Sequence, residues 1–335
     1  MKSMFRRFGF SAVLGIVLIT MGSWGFLVHK TVHQLAIYEL PAEMIPFFYR
    51  NMDNLVTNAP RPDMRRNKDS TEATKHFIDL EMYGKNAANT MPEDWASAVK
   101  KYSKDSLLKY GYVPYYIIYM KGKLTEAFKS GNKDSILFYA ADLGHYIGDA
   151  NVPLHTTVNY DGQLSNQKGL HSLWESMIPE IEIGNYMLYT NHKAVYLKKP
   201  QAAIWAAVRR SAALVPVMLE KETEVSKGFT DAQKFRVQIR RGKESKTYTS
   251  EFAKAYAAAL QTSINDQLIN SANLIADFWY TSWVDAGKPV LGGLTPNWSD
   301  AEQSRLTNEL NSFKENKLLV NKLLLSKKAE SREGE

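Results

Sequence analysis

Apolar residues recur three and four apart along most of the chain. That spacing predicts helices over residues 30–38, 92–110, 115–130, 134–150, 201–221, 251–283 and 300–327, because such positions line one face of a 3.6-residue turn. Asn132 or Asp134 would cap one of these helices, and Ser299 with Asp300 would open the last. Residues 235–250 break the pattern. Here Arg236-Val237-Gln238-Ile239 and Thr247-Tyr248-Thr249 flank Gly242 and could pair as a short β-hairpin. There is no internal repeat, low-complexity tract or Ser/Gly linker. The expectation is an all-α fold: one multi-helix domain over residues 24–298 with one short hairpin, followed by a charged C-terminal helix or tail over 299–335. Its end, after about Ser326, reads as solvated.

Composition sharpens this in three ways. With 335 residues, 44% hydrophobic and 23% charged, the chain can bury a globular core and is neither disordered nor a multi-span membrane protein. It has no cysteine, which excludes disulfides, thiolate metal sites and cysteine nucleophiles. A metal would have to be held by His, Asp and Glu. The net charge is +7, but without Lys2, Arg6 and Arg7 the balance is 39 basic to 35 acidic residues, a net of +4. Charge alone therefore says little about a nucleic-acid partner.

Those three cations open residues 1–23, where an apolar run from Ser11 to Met21 follows and small residues close the segment. This is the arrangement of a secretory signal and predicts an exported protein, periplasmic or secreted, with cleavage after Ser23 and a mature chain starting at Trp24. The competing reading is an uncleaved N-terminal anchor.

The middle of the chain carries the chemistry. His145 and Asp149 are four apart at the end of a helical pattern, so both side chains leave one face. Pro153 then breaks the helix and redirects His155. His171 and Glu175 repeat the spacing. One such pair is ordinarily a salt bridge, whereas two with a histidine between them suit zinc held by nitrogen and oxygen donors. Upstream lie Arg61-Pro-Asp63-Met-Arg65-Arg66 and Lys75-His76-Phe-Ile-Asp79. His33 and Asp79 read as supporting groups, His192 as a surface residue, and the aromatic run from Tyr112 to Tyr119 as core.

Taken in order, Trp24, His29, Asp63, His76, His145-x3-Asp149-x5-His155 and His171-x3-Glu175 resemble the superfamily of zinc-dependent phospholipase C and S1/P1-type nucleases, in particular its exported bacterial members. The likeness covers roughly residues 24–289 and includes Phe278-Trp-Tyr-Thr-Ser-Trp-Val-Asp285. It implies an all-α enzyme with three zinc ions. One ion would take Asp63, His76, His145 and Asp149, with Asp149 bridging to the third. A second would take His155, His171 and Glu175. The third would take Asp149, His29 and the carbonyl oxygen and amino nitrogen of Trp24, and only a cleaved chain offers that nitrogen as a free amine. The activity implied is phosphoester hydrolysis by metal-activated water, with Asp63 as candidate base and Arg66 neutralising the phosphate. The substrate could be a phospholipid headgroup or, alternatively, single-stranded nucleic acid or nucleotides. Glu175 and the short loop from Thr156 to Leu170 resemble the phospholipase branch, and the step from Trp24 to His29 resembles the nuclease branch. A reading of another class is an inactive zinc-binding scaffold. Its weakness is that the second site has three protein ligands, fewer than a closed structural zinc site uses. Tyr160, in the loop Asn159–Asn166, would face the substrate side.

Overall fold

The computed structural model describes residues 25–240, 243–294 and 299–328. Residues 1–24 lie outside that range, and with them the expected signal and Trp24. Among the described residues the fold is all-α apart from one antiparallel two-stranded ribbon.

Four helices build the body: α1 (Phe26–Tyr38), α2 (Val113–Ser130), α3 (Lys133–Ala150) and α6 (Ser263–Asp285). They pack on one another around Val32, Leu35, Ile117, Leu143, Ile147, Phe278 and Trp279, all almost fully buried. Asn132 caps α3, its side chain accepting from Ser135 N at 2.8 Å. A second core lies beside the first. It joins α4 (Pro200–Ser226) and α5 (Ser250–Leu260) to residues 152–178 through Leu154, Leu173, Trp174, Met218, Phe252 and Tyr256.

The hairpin forms as the alternation predicts, β1 (Phe235–Arg240) pairing with β2 (Lys243–Tyr248) so that Phe235 faces Tyr248 and Arg240 faces Lys243. Three expected helices are interrupted. The 92–110 pattern divides at Ser103, whose backbone turns to φ +69° while its hydroxyl caps the next helix by accepting from Ser106 N. The 251–283 pattern divides at Gln261, with φ +56°. In the last, α7 (Asp300–Lys314) opens on a Ser299/Glu302 capping box and stops before Asn316, which adopts φ +56° and hydrogen-bonds Leu188 N and Tyr186 O. Asparagine tolerates that left-handed conformation, and the two bonds to a distant loop outweigh one more helical turn.

The C-terminal segment lies back along α1. Glu302 pairs with Arg50 at 2.7 Å, Glu309 accepts from Tyr38 Oη at 3.0 Å, and Ser326 is buried against Thr31. Residues beyond Lys328 fall outside the description.

Candidate metal centre

Two helix ends, the short helix Arg61–Arg65 and three short turns bring the sequence-predicted donors together. α1 and α3 cross where α3 presents Gly144 and Gly148 to the His33 and His29 rings. A Cβ at Gly144 would lie 2.4 Å from His33 Nε2, and one at Gly148 would lie 3.0 Å from His29 Nδ1. Only a hydrogen at these two positions lets α1 come so close. His29 consequently stacks on His145, ring centroids 4.0 Å apart. His33 does not join the donors. Its Nδ1 lies 2.7 Å from His29 O and its Nε2 2.9 Å from Ala141 O, with Trp279 at its edge, as expected for a supporting group.

Where α3 ends, Asn151 is held from three sides. Its Oδ1 accepts from Arg210 at 2.8 Å, its carbonyl accepts from Gln267 Nε2, and its own Nδ2 donates to Ile147 O. Pro153 then starts the 3-10 turn Pro153–Thr156, which places His155. His171 and Glu175 sit where a short α turn passes into a π turn over Leu173–Met177. Pro179 has no N–H to give the Glu175 carbonyl four residues back, which favours the wider turn.

Eight side chains converge, and three groups have donor atoms within 4.8 Å of one another: His29, His145 and Asp149; Asp63, His76 and His145; and His155, His171 and Glu175. Asp149 is the joint. Its Oδ2 lies 2.8 Å from His76 Nδ1 and 3.3 Å from His145 Nε2; its Oδ1 lies 3.5 Å from His29 Nε2 and 3.7 Å from His155 Nδ1. Glu175 ties in the third group, with Oε2 2.5 Å from His171 Nε2 and Oε1 3.8 Å from His29 Nε2. Asp63 stands at the rim, 3.6 Å from His76 Nδ1 and 3.8 Å from His145 Nε2. Arg66 is half-exposed, 3.5 Å from Asp63. Trp24 lies outside the described residues; a Cβ on the next residue, Gly25, would lie 3.1 Å from Glu175 Oε1, so the described structure begins at the cluster itself.

The donors fit zinc. The Nδ1 atoms of His145, His155 and His171 lie 2.9, 2.8 and 3.0 Å from the carbonyl oxygens of Ala59, His76 and Tyr160. Donating there, each ring turns its Nε2 lone pair inward. His155 Nε2 then faces His171 Nε2 at 3.3 Å, and His145 Nε2 faces His76 Nδ1 at 3.1 Å. Lone pairs opposed at such distances repel unless a proton or a cation lies among them, and imidazole and carboxylate are the donors zinc takes in the absence of thiolate.

The charges respond accordingly. Burial and the neighbouring His29 and His76 push the His145 ring well down, keeping it neutral as a ligand must be. Burial also opposes a proton on His76, but Asp149, Glu72 and Asp63 outweigh it and push the ring up to about 9. His171 is raised against burial by Glu175, whose carboxyl is held well below its ordinary range by His171 and His155 despite burial. Burial and then the Asp149 charge raise Asp63.

Sequence reasoning missed the layer behind His76. Glu72 is buried, its Oε1 3.6 Å from His76 Nε2, and it is bound by Tyr146 Oη, Lys75 at 2.7 Å and Arg65 at 3.2 Å. Arg65 also reaches Asp142 at 2.7 Å. The available signal was the four-residue step from Glu72 to His76, the same step that marked the other pairs. His192 is corrected as well: its Nε2 lies 2.9 Å from Asp277 Oδ1 and the ring is partly buried, so it is tied to α6 rather than free on the surface. Asp79 lies outside the three donor groups; burial and Glu81 push its carboxyl up to about 6. In the aromatic run, Tyr115 is core, whereas Tyr119 is 54% exposed.

The cluster opens toward Asp63, Arg66 and His171. A cleft of about 370 Å³ borders Thr156, next to His155, and is lined by Glu81, Lys85, Thr157, Val215 and Pro216. Tyr160 is 57% exposed on the loop whose carbonyl meets His171.

No family model matches the chain, and no curated protein matches it. Among solved structures it is similar to alpha toxin from Clostridium absonum, with 14% identity, a TM-score of 0.47, and coverage of 79% of this chain and 65% of the toxin. Clostridium perfringens alpha-toxin from avian strain SWCP is similar at 16% identity and a TM-score of 0.47, over 78% of this chain and 65% of that one. The chain thus spans about two thirds of the length of these toxins.

Proposed function

We propose that the protein is an exported zinc-dependent phosphodiesterase with phospholipase C-like activity. The observation that carries this is the convergence of His29, Asp63, His76, His145, Asp149, His155, His171 and Glu175 into three neighbouring donor groups, two of which share His145. The ion held by Asp63, His76, His145 and Asp149 would share Asp149 with a further ion at His29, while His155, His171 and Glu175 would hold their own with only three protein donors. The ion at His29 would need the carbonyl of Trp24 and its α-amine, which cleavage after Ser23 would free.

Bound zinc would supply Lewis acidity toward phosphoryl oxygens and lower the pKa of water to about 7. The residues divide the remaining work. Asp149 sets the spacing of four rings and is too buried to meet substrate. Asp63 is partly exposed, and the rise in its pKa suits it to take a proton from an attacking water. Arg66, beside it and more open, can neutralise a phosphate with a fork of N–H donors. Glu72 stands behind the His76 ring, its carboxylate 3.6 Å from Nε2, where it can orient the imidazole.

Native mass spectrometry of the exported protein tests the metal and the N-terminus together. Three zinc ions on a chain starting at Trp24 are expected, and a metal-free folded protein sinks the proposal. Bis(p-nitrophenyl) phosphate, phosphatidylcholine and single-stranded DNA, offered to one preparation, rank the substrates. Preference for the DNA would favour the nuclease reading, with Tyr160 stacking on a base.

A further inference from the structure

Strand β1 carries an apolar row that begins in the core and continues into solvent, with Lys246 and Glu244 as the cross-strand partners of its outer two residues. At its root Phe235 packs on Tyr248, ring centroids 4.9 Å apart, and Tyr248 is buried in the second core. Side chains alternate along a strand, so Val237 and Ile239 continue the Phe235 face. Val237 is 53% exposed and Ile239 80% exposed. Isolated exposed aliphatics are ordinary, but two in succession on one face of a two-stranded ribbon are not, since such a ribbon gains little stability of its own in water. The surrounding sequence is cationic: Arg236, Arg240, Arg241, Lys243 and Lys246 stand against Glu244 alone.

Aliphatic side chains among cations match a bilayer with anionic headgroups. The cations are drawn to the surface charge, and valine and isoleucine gain by leaving water for the acyl boundary. A single-stranded nucleic acid would use the cations but would need aromatic rings to stack on, and the outer ribbon has none. The root is also firm. Tyr248 Oη donates to Glu222 at 3.0 Å, Lys234 pairs with Glu222 at 2.6 Å, and Gln167 donates to Glu222 at 2.7 Å. That link ties the ribbon to the loop before His171, on which Leu164 is 69% exposed.

We infer that the β1–β2 ribbon is a docking element for anionic lipid surfaces, inserting Val237 and Ile239. The inference does not depend on the phosphodiesterase reading. Because the chain has no cysteine, Ile239→Cys gives one labelling position for the environment-sensitive fluorophore NBD. Its emission should shift to the blue on phosphatidylcholine vesicles containing phosphatidylglycerol, be quenched by bilayer-embedded quenchers, and revert in high salt. The unlabelled double variant Val237→Ser/Ile239→Ser should bind those vesicles about tenfold more weakly with unchanged circular dichroism.

The inference is overturned by an unmoved label, by a double variant that sediments with vesicles as wild type does, or by a shift obtained with single-stranded DNA instead. A wild-type dimer that the double variant dissolves would also overturn it, making a second copy the occupant. Binding through residues 11–21 would leave the label at 239 unmoved and is thereby distinguished.

Discussion

The inner and outer parts of the donor cluster are built differently. His29, His76, His145 and Asp149 are each at most 2% exposed, and three of them stand on the long helices α1 and α3, backed by the main core. His155, His171 and Glu175 stand on a 3-10 turn and an α-to-π turn backed by the smaller second core, and the His171 side chain is 29% exposed. The inner part is set mainly by the packing of α1 on α3. The outer part is held by turns whose opening can differ without moving the helices. Such a division suits a site that keeps its electrostatics constant on one side and meets substrate on the other.

The strongest way to break this contrast is to remove the joint. Asp149→Ala should lower phosphodiesterase activity by at least about a hundredfold and lower the number of bound zinc ions, measured by elemental analysis. His171→Ala should lower activity while sparing the inner metal. Equal metal loss in both variants would show the two parts to be one unit. Next in size is the layer behind His76. Glu72→Gln should weaken zinc binding by about 10- to 100-fold in a chelator competition, because an uncharged group no longer holds the imidazole for the metal; unchanged affinity would remove Glu72 from the site.

Packing tests the inner part without touching a donor. Gly144→Ala should cost about 1–3 kcal/mol in urea denaturation, since its Cβ meets the fully buried His33 ring at 2.4 Å. Gly148→Ala, at 3.0 Å from His29, should cost less in stability and more in metal affinity. A reversed order would mean that α1 moves more easily at His33 than at His29.

The smallest effect concerns the scaffold under the inner part. Burial, with Asp277 adding repulsion, pushes the Glu39 carboxyl at the end of α1 up from 4.5 to about 9. An acid with a raised folded pKa is destabilising once ionised: the penalty is absent below about 4.5, grows as pH rises, and is complete above about 9. Glu39→Gln should therefore stabilise the protein by about 1–2 kcal/mol near pH 7 and have little effect near pH 4. Thermal melts at both values decide it, and a gain that persists in acid would contradict the burial argument.

Legibility in the sequence follows the same line. The pairs His145/Asp149 and His171/Glu175 could be read because a helical turn puts residues four apart on one face, and Pro153 marked the turn to His155. His29, Asp63 and His76 gained meaning only as members of an ordered set. Glu72 went unread because its step to His76 passes through a 3-10 turn, not a helix that periodicity would reveal. His192 and Asp277 meet across 85 residues, a pairing that only the packing of α6 creates. The helix breaks at Ser103 and Gln261 were hidden for a related reason, since apolar spacing continues across each one.

The two glycines of α3 have one further consequence. The spacing of the inner donors is measured out by atoms that are missing, Cβ at 144 and at 148, so the ruler of the site is a helix-to-helix distance and not any ligand. Descendants of this chain could exchange loops around His171 and Tyr160, and with them the molecules they accept, while that ruler stayed unchanged.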